Sequence, residues 1–495
     1  MSKGYLILIG GGEDTSLIYN KVIELAGGKE NTRIVIIPSS SAHARSAMKR
    51  YEDFFIKELG LLEENVWSVP LPEIDDESTQ NANEQLWKDN ALNTEYAEKI
   101  KKFNVVFFGG GDQRKYIDAL KNENVNSPIL NAITDVFENN GLIIGTSAGT
   151  NILNSISIGG GRSEEVLTNK LVYDDNEIDG QKLLLFKGLG LIDNIIFDTH
   201  FSQRGRLGRL IESAILTKNN YGLGIGEKTA VVYHPDNTIE ILGYGNVFMV
   251  DMTVALQLNQ PDQPLHVLNI PVHLFSHGDK YNISNGKFEP NPLKENIIHT
   301  PYFDAADYHI SLNVFKEYET SNIIINYLLD NEAKDVIALM DYNKQYTSGD
   351  NSFFLRFVEN ENTKAFFCKT SIDESADKID FYSGMNVRTD VIPLLYSNAD
   401  NKTKGFQAII FGIDTDFLAV IYDDKESLPV CDAKVQIFDK DNKLIFKSGT
   451  DRFGKIEAKN VLSNGEGYYL KITYDYGNLT KKFLFNNNMT GICLR

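Results

Sequence analysis

The sequence predicts an α/β protein that begins with a parallel, doubly wound sheet, and two observations carry this prediction. Continuous apolar runs of four or five residues alternate with segments of helical spacing, which indicates strands that helices bury on both faces. Three of the runs end at glycine clusters. Functional loops of such sheets lie at the carboxyl ends of the strands, so these clusters mark the edge where a site is expected.

The elements of the first half follow in order. Strands are predicted at residues 5–9, 33–37, 66–69, 105–108 and 141–144. Helices are predicted at residues 17–25, 47–59, 84–103 and 150–156. A glycine or a proline closes each strand, which is typical of units that alternate strand and helix.

The second half changes to mainly β patterns. A strand is predicted at 265–274, and the following mixed α/β region has no assigned role. From about residue 405 the pattern is β only, with turn residues recurring about every 8–12 positions, as in a β-sandwich. In the mixed region, helices are predicted at 321–329 and 333–339, and a strand at 353–358. The later strands are predicted at 408–411, 418–422, 433–438, 444–447, 468–474 and 481–485. The predicted domains are residues 1–284, 285–400 and 401–495.

Composition excludes several classes of protein. The 495 residues include 49 Lys and Arg against 68 Asp and Glu, a formal net charge of −19. This acidity argues against a nucleic-acid binder, because phosphate neutralisation needs clustered cations. The three cysteines, at positions 368, 431 and 493, are too few and too late for a disulfide scaffold or a CxxC metal site. No apolar stretch approaches the roughly 18 residues of a membrane span and no signal peptide is visible, so a cytoplasmic protein is expected, with a removed leader as the alternative.

No cofactor and no metal are expected. The glycine run at residues 10–12 lacks the G-x-G-x-x-G spacing of a dinucleotide loop, because Thr15 stands at its last position. No Walker lysine follows any glycine cluster. Asp439, Asp441 and Asp451 lack the EF-hand spacing that Ca²⁺ binding would require.

The strongest local signal for chemistry is Gly-Thr-Ser-Ala-Gly at residues 145–149, between a predicted strand and a predicted helix. This is G-x-S-x-G in the strand–turn–helix context of a nucleophile elbow. Small neighbours let the backbone turn sharply and hold the Ser147 hydroxyl out of the sheet. The N–H groups that follow then face a developing oxyanion. The alternative is a glycine-rich turn with a serine cap, and the strand and helix on either side favour the nucleophile.

A serine nucleophile needs a base, and two of the eight histidines are candidates. His200 stands where the apolar run at 195–197 meets polar residues, and it is the first choice. His43 follows Pro-Ser-Ser-Ser at 38–41 and is the second choice. For both, the alternative is a histidine that makes structural hydrogen bonds only.

An arginine trio and one acid complete the candidate residues. Arg204, Arg206 and Arg209 open a helix, where cations oppose the macrodipole and are costly unless an anion partners them. This pattern favours carboxylate binding, and a salt-bridged helix start is the alternative. Glu227 ends a short apolar strand, and an acid there would orient the base and complete a triad.

Four motifs in one order carry a resemblance to a known family. They are Gly-Gly-Gly-Asp-Gln at 109–113, GTSAG at 145–149, DTHFSQRGRLGRL at 198–210 and GIGEKTA at 224–230. Over about residues 4–283 the chain resembles the cyanophycinase / aspartyl dipeptidase family of serine peptidases, and it is more similar to the cyanophycinase branch. That resemblance implies a fold similar to the class I glutamine amidotransferases, with serine in place of their nucleophilic cysteine. The lack of any cysteine before position 368 agrees with this substitution.

The resemblance also implies residue roles. Ser147 would be the nucleophile, His200 the general base and Glu227 the acid of the triad. The oxyanion hole would use the backbone N–H groups of Gly110 or Gly111 and of Ala148. The positions that fall around the substrate in the cyanophycinase branch are Gln113, Asp198, Thr199, Arg204, Arg206 and Arg209.

The function implied is a serine-type exopeptidase that acts through an acyl-enzyme. Cyanophycin has a poly-aspartate backbone with arginine on each side-chain carboxyl, and the family releases β-Asp-Arg dipeptides from it. Two departures concern the substrate: Thr199 replaces a glutamine that is usual in this branch, and residues 162–187 form a longer segment than is typical.

Two other functions stay open on the sequence alone. One is a hydrolase of Asp-X or other acidic peptides, and the second is a non-catalytic binding protein of the same fold. The expected partner is a peptide or a cyanophycin-like polymer, without nucleic acid or membrane, and a homodimer stays an open alternative.

Overall fold

A computed structural model describes residues 3–12, 15–72, 74–80, 82–122, 125–168, 183–259, 263–298, 300–301, 309–340, 351–372, 377–402, 405–475 and 477–494. Two large sheets organise these residues. The first holds nine strands, and their spatial order is Lys287–Glu289, Lys280–Asn282, Thr238–Gly243, Thr229–Tyr233, Tyr5–Ile9, Leu142–Thr146, Val105–Phe108, Ile34–Ile37 and Val66–Ser68. The five strands from Tyr5–Ile9 onward are parallel, and the four before them are antiparallel. The mixed α/β class with a parallel sheet is therefore confirmed.

The parallel strands are buried on both faces, as their unbroken apolar runs predict. Alternate residues of a strand point to opposite sides, so one strand serves two cores. Leu6 and Leu8 lie in the core on one face of the sheet, whereas Ile7 and Ile9 lie in the core on the other. Helices cover both cores. The α-helices are Ser16–Leu25, Ala44–Asp53, Thr94–Ile100, Arg114–Leu120, Pro128–Glu138, Ala148–Asn151, Ser163–Thr168, Leu207–Thr217 and Glu319–Asn322. The 3-10 segments are Glu63–Asn65, Glu84–Leu92 and Ser202–Arg204, and the π-helical segments are Phe54–Glu58 and Ile323–Leu329.

Two predicted helices of the first half have the wrong extent. The helix predicted at 84–103 is divided, because the side chain of Asn93 accepts hydrogen bonds from the N–H groups of Glu95 and Tyr96 and so caps a new helix. The helix predicted at 150–156 is a single turn, Ala148–Asn151. The chain beyond it forms the strand Ile156–Gly160, which pairs with Leu184–Lys187.

The second sheet holds fourteen strands and draws on both halves of the chain. Its main path is Ile195–Asp198, Tyr221–Ile225, Val247–Asp251, Val267–Phe275, Ile379–Ser397, Gly491–Leu494, Phe406–Ile413, Asp416–Asp423 and Lys455–Ala458. Its side strands are Leu256–Gln257, Glu295–Asn296, Asp335–Leu339, Asn351–Val358 and Lys364–Thr370. The helix predicted at 333–339 is wrong: the short apolar run 336–339 fits a buried strand as well as a helix, and it belongs to the strand Asp335–Leu339, which pairs with Asn351–Val358. The sheet combines strands from both sides of the predicted domain boundaries, which stay predictions.

The remaining strands form smaller sheets. A five-stranded antiparallel sheet has the order Asn401–Lys402, Gly477–Leu484, Gly467–Tyr474, Lys434–Phe438 and Leu444–Gly449. Its buried face shares one apolar core with the strands Phe406–Ile413 and Asp416–Asp423 of the second sheet. A short hairpin joins Lys121–Asn122 to Val125–Asn126. Within the described ranges, no helix is both long and apolar enough to cross a membrane.

Candidate active site

Ser147 lies at a sharp turn between the strand Leu142–Thr146 and the one-turn helix Ala148–Asn151. Its backbone is left-handed, with φ 54° and ψ −115°, which a non-glycine residue rarely adopts. A Cβ on Gly145 would lie 2.3 Å from the carbonyl oxygen of Gly149, so the turn excludes a side chain there. The Ser147 N–H donates to the carbonyl of Ile9, 3.0 Å away, on the neighbouring strand. The small residues of the motif therefore produce the strained turn that exposes the hydroxyl.

His200 reaches Ser147 from the second sheet. The Ser147 hydroxyl donates to His200 Nε2 over 2.7 Å, across 53 positions of sequence. His200 follows the strand Ile195–Asp198, has φ 48°, and its N–H donates to the carbonyl of Gly10 over 2.8 Å. The site thus forms where the carboxyl ends of strands from both sheets meet, as the strand pattern of a parallel α/β protein predicts.

Glu227 completes a relay of hydrogen bonds. His200 Nδ1 lies 2.6 Å from Glu227 Oε1, so the carboxylate fixes the tautomer with the proton on Nδ1 and leaves Nε2 free to accept. Glu227 follows the strand Tyr221–Ile225, which is parallel to the strand before His200. Both relay residues therefore leave adjacent strands at the same edge.

The glycine run at residues 10–12 holds these two side chains, a role that the sequence reasoning missed. A Cβ on Gly11 would lie 2.4 Å from His200 Cε1, and one on Gly12 would lie 3.0 Å from Glu227 Cβ. The carbonyl of Gly11 accepts from the N–H of Lys228 over 2.9 Å. The signal in the sequence is three glycines in a row at a strand end. Such a run leaves room for another segment of the chain to approach the backbone closely.

The backbone of the glycine loop at residues 109–111 passes close to Ser147. A Cβ on Gly110 would lie 3.4 Å from Ser147 Cβ, which shows how closely this loop passes the serine. The loop is fixed by Ser40, whose hydroxyl donates to the carbonyl of Gly110 and whose carbonyl accepts from Asp112. Among the described residues, the N–H groups of Gly110, Gly111 and Ala148 donate to no backbone acceptor. They are free to receive an oxyanion.

The surroundings of His200 keep its imidazole neutral. Burial lowers its pKa below the ordinary value of 6.5, and the nearby cations Arg204 and Arg206 lower the pKa further. The hydrogen bond that His200 donates to Glu227 raises the pKa, but burial is the largest cause and the net shift is downward. A neutral Nε2 is the form that can take a proton from serine.

A cavity of about 290 Å³ opens beside the serine. Its lining contains far more cationic than anionic side chains. The lining residues are Gly111, Asp112, Gln113, Arg114, Ser147, Ala148, Asn151, Gly159, Thr199, His200, Arg204, Arg206 and Arg209. Asp112 is the acid among them, and Arg114 holds both of its oxygens, at 3.1 and 2.8 Å. The cavity therefore presents positive charge in a chain whose net charge is −19.

The arginine trio divides into two kinds. Arg209 donates to both oxygens of Asp198 over 2.6 Å, and both side chains are buried. Arg206 donates to the same carboxylate over 3.1 Å and to the carbonyl of Thr199, and its burial lowers its pKa to about 9. Arg204 has no side-chain partner among the described residues. We therefore revise the expectation for Asp198: with no exposed surface, it supports the arginines rather than touching a substrate.

Of the other predicted site residues, two line the cavity and one lies away from Ser147. Gln113 lines the cavity and donates to the carbonyl of Ile158 over 2.8 Å. Thr199 lines the cavity with almost no exposed surface. His43, the second-choice base, bonds Asp76 instead of Ser147, with Nδ1 3.1 Å from the carboxylate. Of the long segment 162–187, residues 169–182 lie outside the described residues.

Asn151 is a cavity residue that the sequence reasoning missed. It stands one helical turn after Ser147 and is only 3% exposed. Its Oδ1 has no hydrogen-bond partner within the described part of the chain, although a buried polar atom without a partner is costly. A ligand in the cavity would supply that partner. The position four residues after the serine was the available signal.

Comparisons with known proteins find similarity over the first half of the chain. The sequence model of peptidase family S51 matches residues 6–241. A cyanophycinase of Synechococcus elongatus is 29% identical over 289 residues, which cover 57% of this chain and 80% of that protein. A cyanophycinase of Geminocystis herdmanii is 29% identical over 288 residues, 57% of this chain and 94% of that protein. The crystal structure of a peptidase from an acI-B1 Actinobacterium matches with 18% identity and a TM-score of 0.38, over 57% of this chain and 97% of that one.

Proposed function

We propose that the chain is an exopeptidase that hydrolyses cyanophycin or related β-aspartyl peptides, and the match of residues 6–241 to peptidase family S51 supports this proposal. The observation that carries this proposal is the continuous relay from Ser147 through His200 to Glu227, at 2.7 and 2.6 Å, on the wall of a cationic cavity. The relay supplies the chemistry, and the arginines supply the preference for a substrate with free carboxylates.

The proposed reaction is acyl transfer. Ser147 Oγ attacks the amide carbonyl carbon while its proton passes to His200 Nε2. The N–H groups of Gly110 or Gly111 and of Ala148 stabilise the oxyanion that forms. The C–N bond then breaks as His200 returns the proton to the leaving amine, which gives an acyl-enzyme. Water, activated by the same imidazole, releases the acid, and Glu227 holds the ring in place through both steps.

The cavity explains why an exopeptidase fits. Arg204 and Arg206 place two cations next to the nucleophile, where a free carboxylate at a chain end would bind. Gln113, Thr199 and Asn151 line the same space and would contact the rest of the acyl part. A volume of about 290 Å³ suits one or two small residues rather than a long internal segment. The choice of cyanophycin as the proposed substrate comes from the cyanophycinases to which this chain is similar.

One observation favours a second candidate, the hydrolysis of Asp-X or other acidic peptides. An arginine side chain of a β-Asp-Arg unit needs a carboxylate partner. Within the described lining, Asp112 is the acidic residue, and Arg114 already occupies both of its oxygens. Thr199, in the place of the usual glutamine, adds no charge. An acidic peptide would use the arginines without needing an acid.

The test compares wild type with Ser147→Ala on purified cyanophycin, β-Asp-Arg and a series of Asp-X dipeptides. We expect hydrolysis to disappear in the variant while its thermal unfolding stays unchanged. Ser448→Ala, on the strand Leu444–Gly449 of the small sheet, is the matched control and should retain full activity. A fluorophosphonate probe should label wild type and not Ser147→Ala. Undiminished hydrolysis in Ser147→Ala would overturn the role of the serine, and a wild type that neither labels nor cleaves would favour a non-catalytic binding protein.

The finer expectations about architecture are also part of the proposal. We propose that the parallel sheet is similar to that of the class I glutamine amidotransferases. We propose further that residues 401–495 form a β-sandwich, because the five-stranded sheet and two strands of the larger sheet enclose one apolar core. A cytoplasmic location and a homodimer stay predictions.

A further inference from the structure

A segment beyond the matched peptidase domain packs against the loop that follows His200. Residues 314–321 lie well after the family match, which ends at 241. The N–H of Tyr318 donates to the carbonyl of Ser202 over 2.7 Å, and the hydroxyls of Ser202 and Ser321 lie 3.3 Å apart. A Cβ on Gly205 would lie 1.8 Å from the carbonyl oxygen of Phe315. The glycine thus permits direct backbone contact between this segment and residues 201–206, which follow His200 and are called the arginine loop below.

A chain of hydrogen bonds leads from this segment to the acid of the relay. Gln203 Nε2 donates to the Tyr318 hydroxyl over 3.1 Å. Gln203 Oε1 accepts from the backbone N–H of Glu227 over 3.1 Å. Because both ends of the amide are used, its orientation is fixed by its partners. The carboxylate of Glu227 then bonds His200 over 2.6 Å.

Tyr318 holds its position against a conformational preference. Its backbone has φ 59° and ψ −2°, a left-handed conformation that is unusual for a bulky residue. Such a conformation persists when surrounding contacts fix it. Its side chain is about half exposed, so an apolar core does not account for its place. The contacts that do are the bonds to Ser202 and Gln203.

We propose that Tyr318 is a positioning residue for the triad: through Gln203 it fixes the backbone at Glu227, so that the region after residue 283 completes the active site. The inference rests on the proposed roles of Ser147, His200 and Glu227. It assigns a function to part of the chain that the family match does not cover. The relay bond between His200 and Glu227 is short and directional, so a small displacement of residue 227 weakens it.

The test uses the full chain and four variants. They are Tyr318→Phe, Gln203→Leu, the double variant, and the control Tyr233→Phe, which removes a hydroxyl bonded to Asn237 at 2.8 Å. The readouts are the rate at which a fluorophosphonate labels Ser147, and kcat and KM on the best substrate. We expect Tyr318→Phe to lower kcat and the labelling rate about 2- to 10-fold with KM unchanged, as for loss of one hydrogen bond. The control should stay within experimental error of wild type.

The double variant tests most directly whether Tyr318 acts through Gln203. If Tyr318 acts through Gln203, the double variant should be no slower than Gln203→Leu alone. Additive losses, or a Tyr318→Phe variant that labels as fast as wild type, would overturn the inference. If Gln203→Leu does not fold, as judged by circular dichroism, Gln203→Met replaces it.

The pH profile separates positioning from general destabilisation. The charged groups that act on His200 are Glu227, which raises its pKa, and Arg204 and Arg206, which lower it. A looser Glu227 should therefore move the acid limb of kcat/KM to lower pH in Tyr318→Phe, and an unmoved limb would count against positioning. The labelling readout also keeps two failures apart. If wild type neither labels nor cleaves, the proposed function fails; if wild type labels and Tyr318→Phe labels equally well, only this inference fails.

Discussion

The two walls of the candidate active site differ in composition: one consists of glycine backbone and the other of charged side chains. The glycine wall, residues 10–12, 109–111, Gly145 and Gly149, has no side chains, and backbone passes within contact distance of the relay. The arginine wall consists of Asp198, Arg204, Arg206 and Arg209, and in it Arg206 and Arg209 hold the buried carboxylate of Asp198. The first wall sets distances, and the second sets charge. Changes on the glycine wall should therefore affect the rate of chemistry, and changes on the arginine wall should affect stability, pH dependence and affinity.

Gly11→Ala should produce the largest effect. Its Cβ would lie 2.4 Å from His200 Cε1, and its φ of 93° disfavours any side chain. The imidazole must then move, and because a shift of about 1 Å costs roughly 10²-fold, we expect kcat/KM to fall by roughly 10²-fold or more. The measurement is peptide hydrolysis together with fluorophosphonate labelling.

Gly28→Ala is the matched control for this substitution. Gly28 also has a φ of 93°, but nothing lies within 4 Å of its Cβ position. Both variants pay the same backbone strain of about 1 kcal/mol, and only Gly11→Ala meets the imidazole. Equal activity in the two variants would show that the glycine wall does not set the relay distances.

Asp198→Asn should produce the largest loss of stability on the arginine wall. It leaves Arg206 and Arg209 buried without their shared anion, and removing one partner of a buried ion pair costs about 3–5 kcal/mol. Asp135→Asn, which breaks a half-exposed pair with Lys101, should cost less than about 1 kcal/mol. Urea unfolding measures both. Similar losses in the two variants would mean that the buried pair is not a structural element of this wall.

Arg204→Ala should change affinity and pH dependence more than stability. Loss of a charged hydrogen bond to a substrate carboxylate costs about 1.5–3 kcal/mol, so KM should rise roughly 10- to 100-fold. The cation also lowers the pKa of His200. As the pH is lowered, wild-type kcat/KM should stay constant to below pH 6.5 and then fall where His200 becomes protonated, at its lowered pKa. In Arg204→Ala the pKa of His200 should rise, so this acid limb should move to higher pH.

Arg50→Ala serves as the control for this pair of measurements. Arg50 is an exposed arginine on the helix Ala44–Asp53, and it stacks on Tyr51 instead of lining the cavity. Its loss removes one positive charge from the chain without touching the site. A KM and an acid limb that respond equally to both substitutions would indicate a general effect of net charge.

The two walls also differed in how far the sequence could predict them. Ser147, His200 and Glu227, which belong to neither wall, are predictable because each follows an apolar strand, and parallel strands bring their carboxyl ends to one edge. The packing role of the glycine run at 10–12 is not predictable, because a close approach between segments distant in sequence leaves no mark except missing side chains. The sequence singles out the three arginines. It does not predict that Arg206 and Arg209 bind Asp198 while Arg204 stays free of a side-chain partner among the described residues, since the burial of Asp198 depends on tertiary packing.

The second half shows the same limit. Residues 335–339, predicted as part of a helix, form a strand because pairing with Asn351–Val358 decides their conformation. The apolar run 336–339 is too short for its periodicity to separate a helix from a strand. The contact of Tyr318 with the arginine loop joins residues 115 positions apart. No local pattern encodes such a contact.

Asn151→Ala should give the smallest effect, and it tests whether the cavity has neutral as well as charged contacts. Asn151 lies between the two walls, 3% exposed, with an unsatisfied Oδ1. If a bound peptide supplies the missing partner, its loss should raise KM about 2- to 10-fold and leave kcat nearly unchanged.

Asn151→Asp keeps the shape and changes only the charge, so it separates a hydrogen bond from simple packing. An added anion would repel a substrate carboxylate and compete for Arg204 and Arg206, and KM should therefore rise further than in the alanine variant for peptides with free carboxylates. For substrates whose terminal carboxylate is amidated, the difference between the two variants should shrink. Equal KM values for both variants and both kinds of substrate would place Asn151 with the structural residues of the turn, and specificity would then depend on the arginine wall alone.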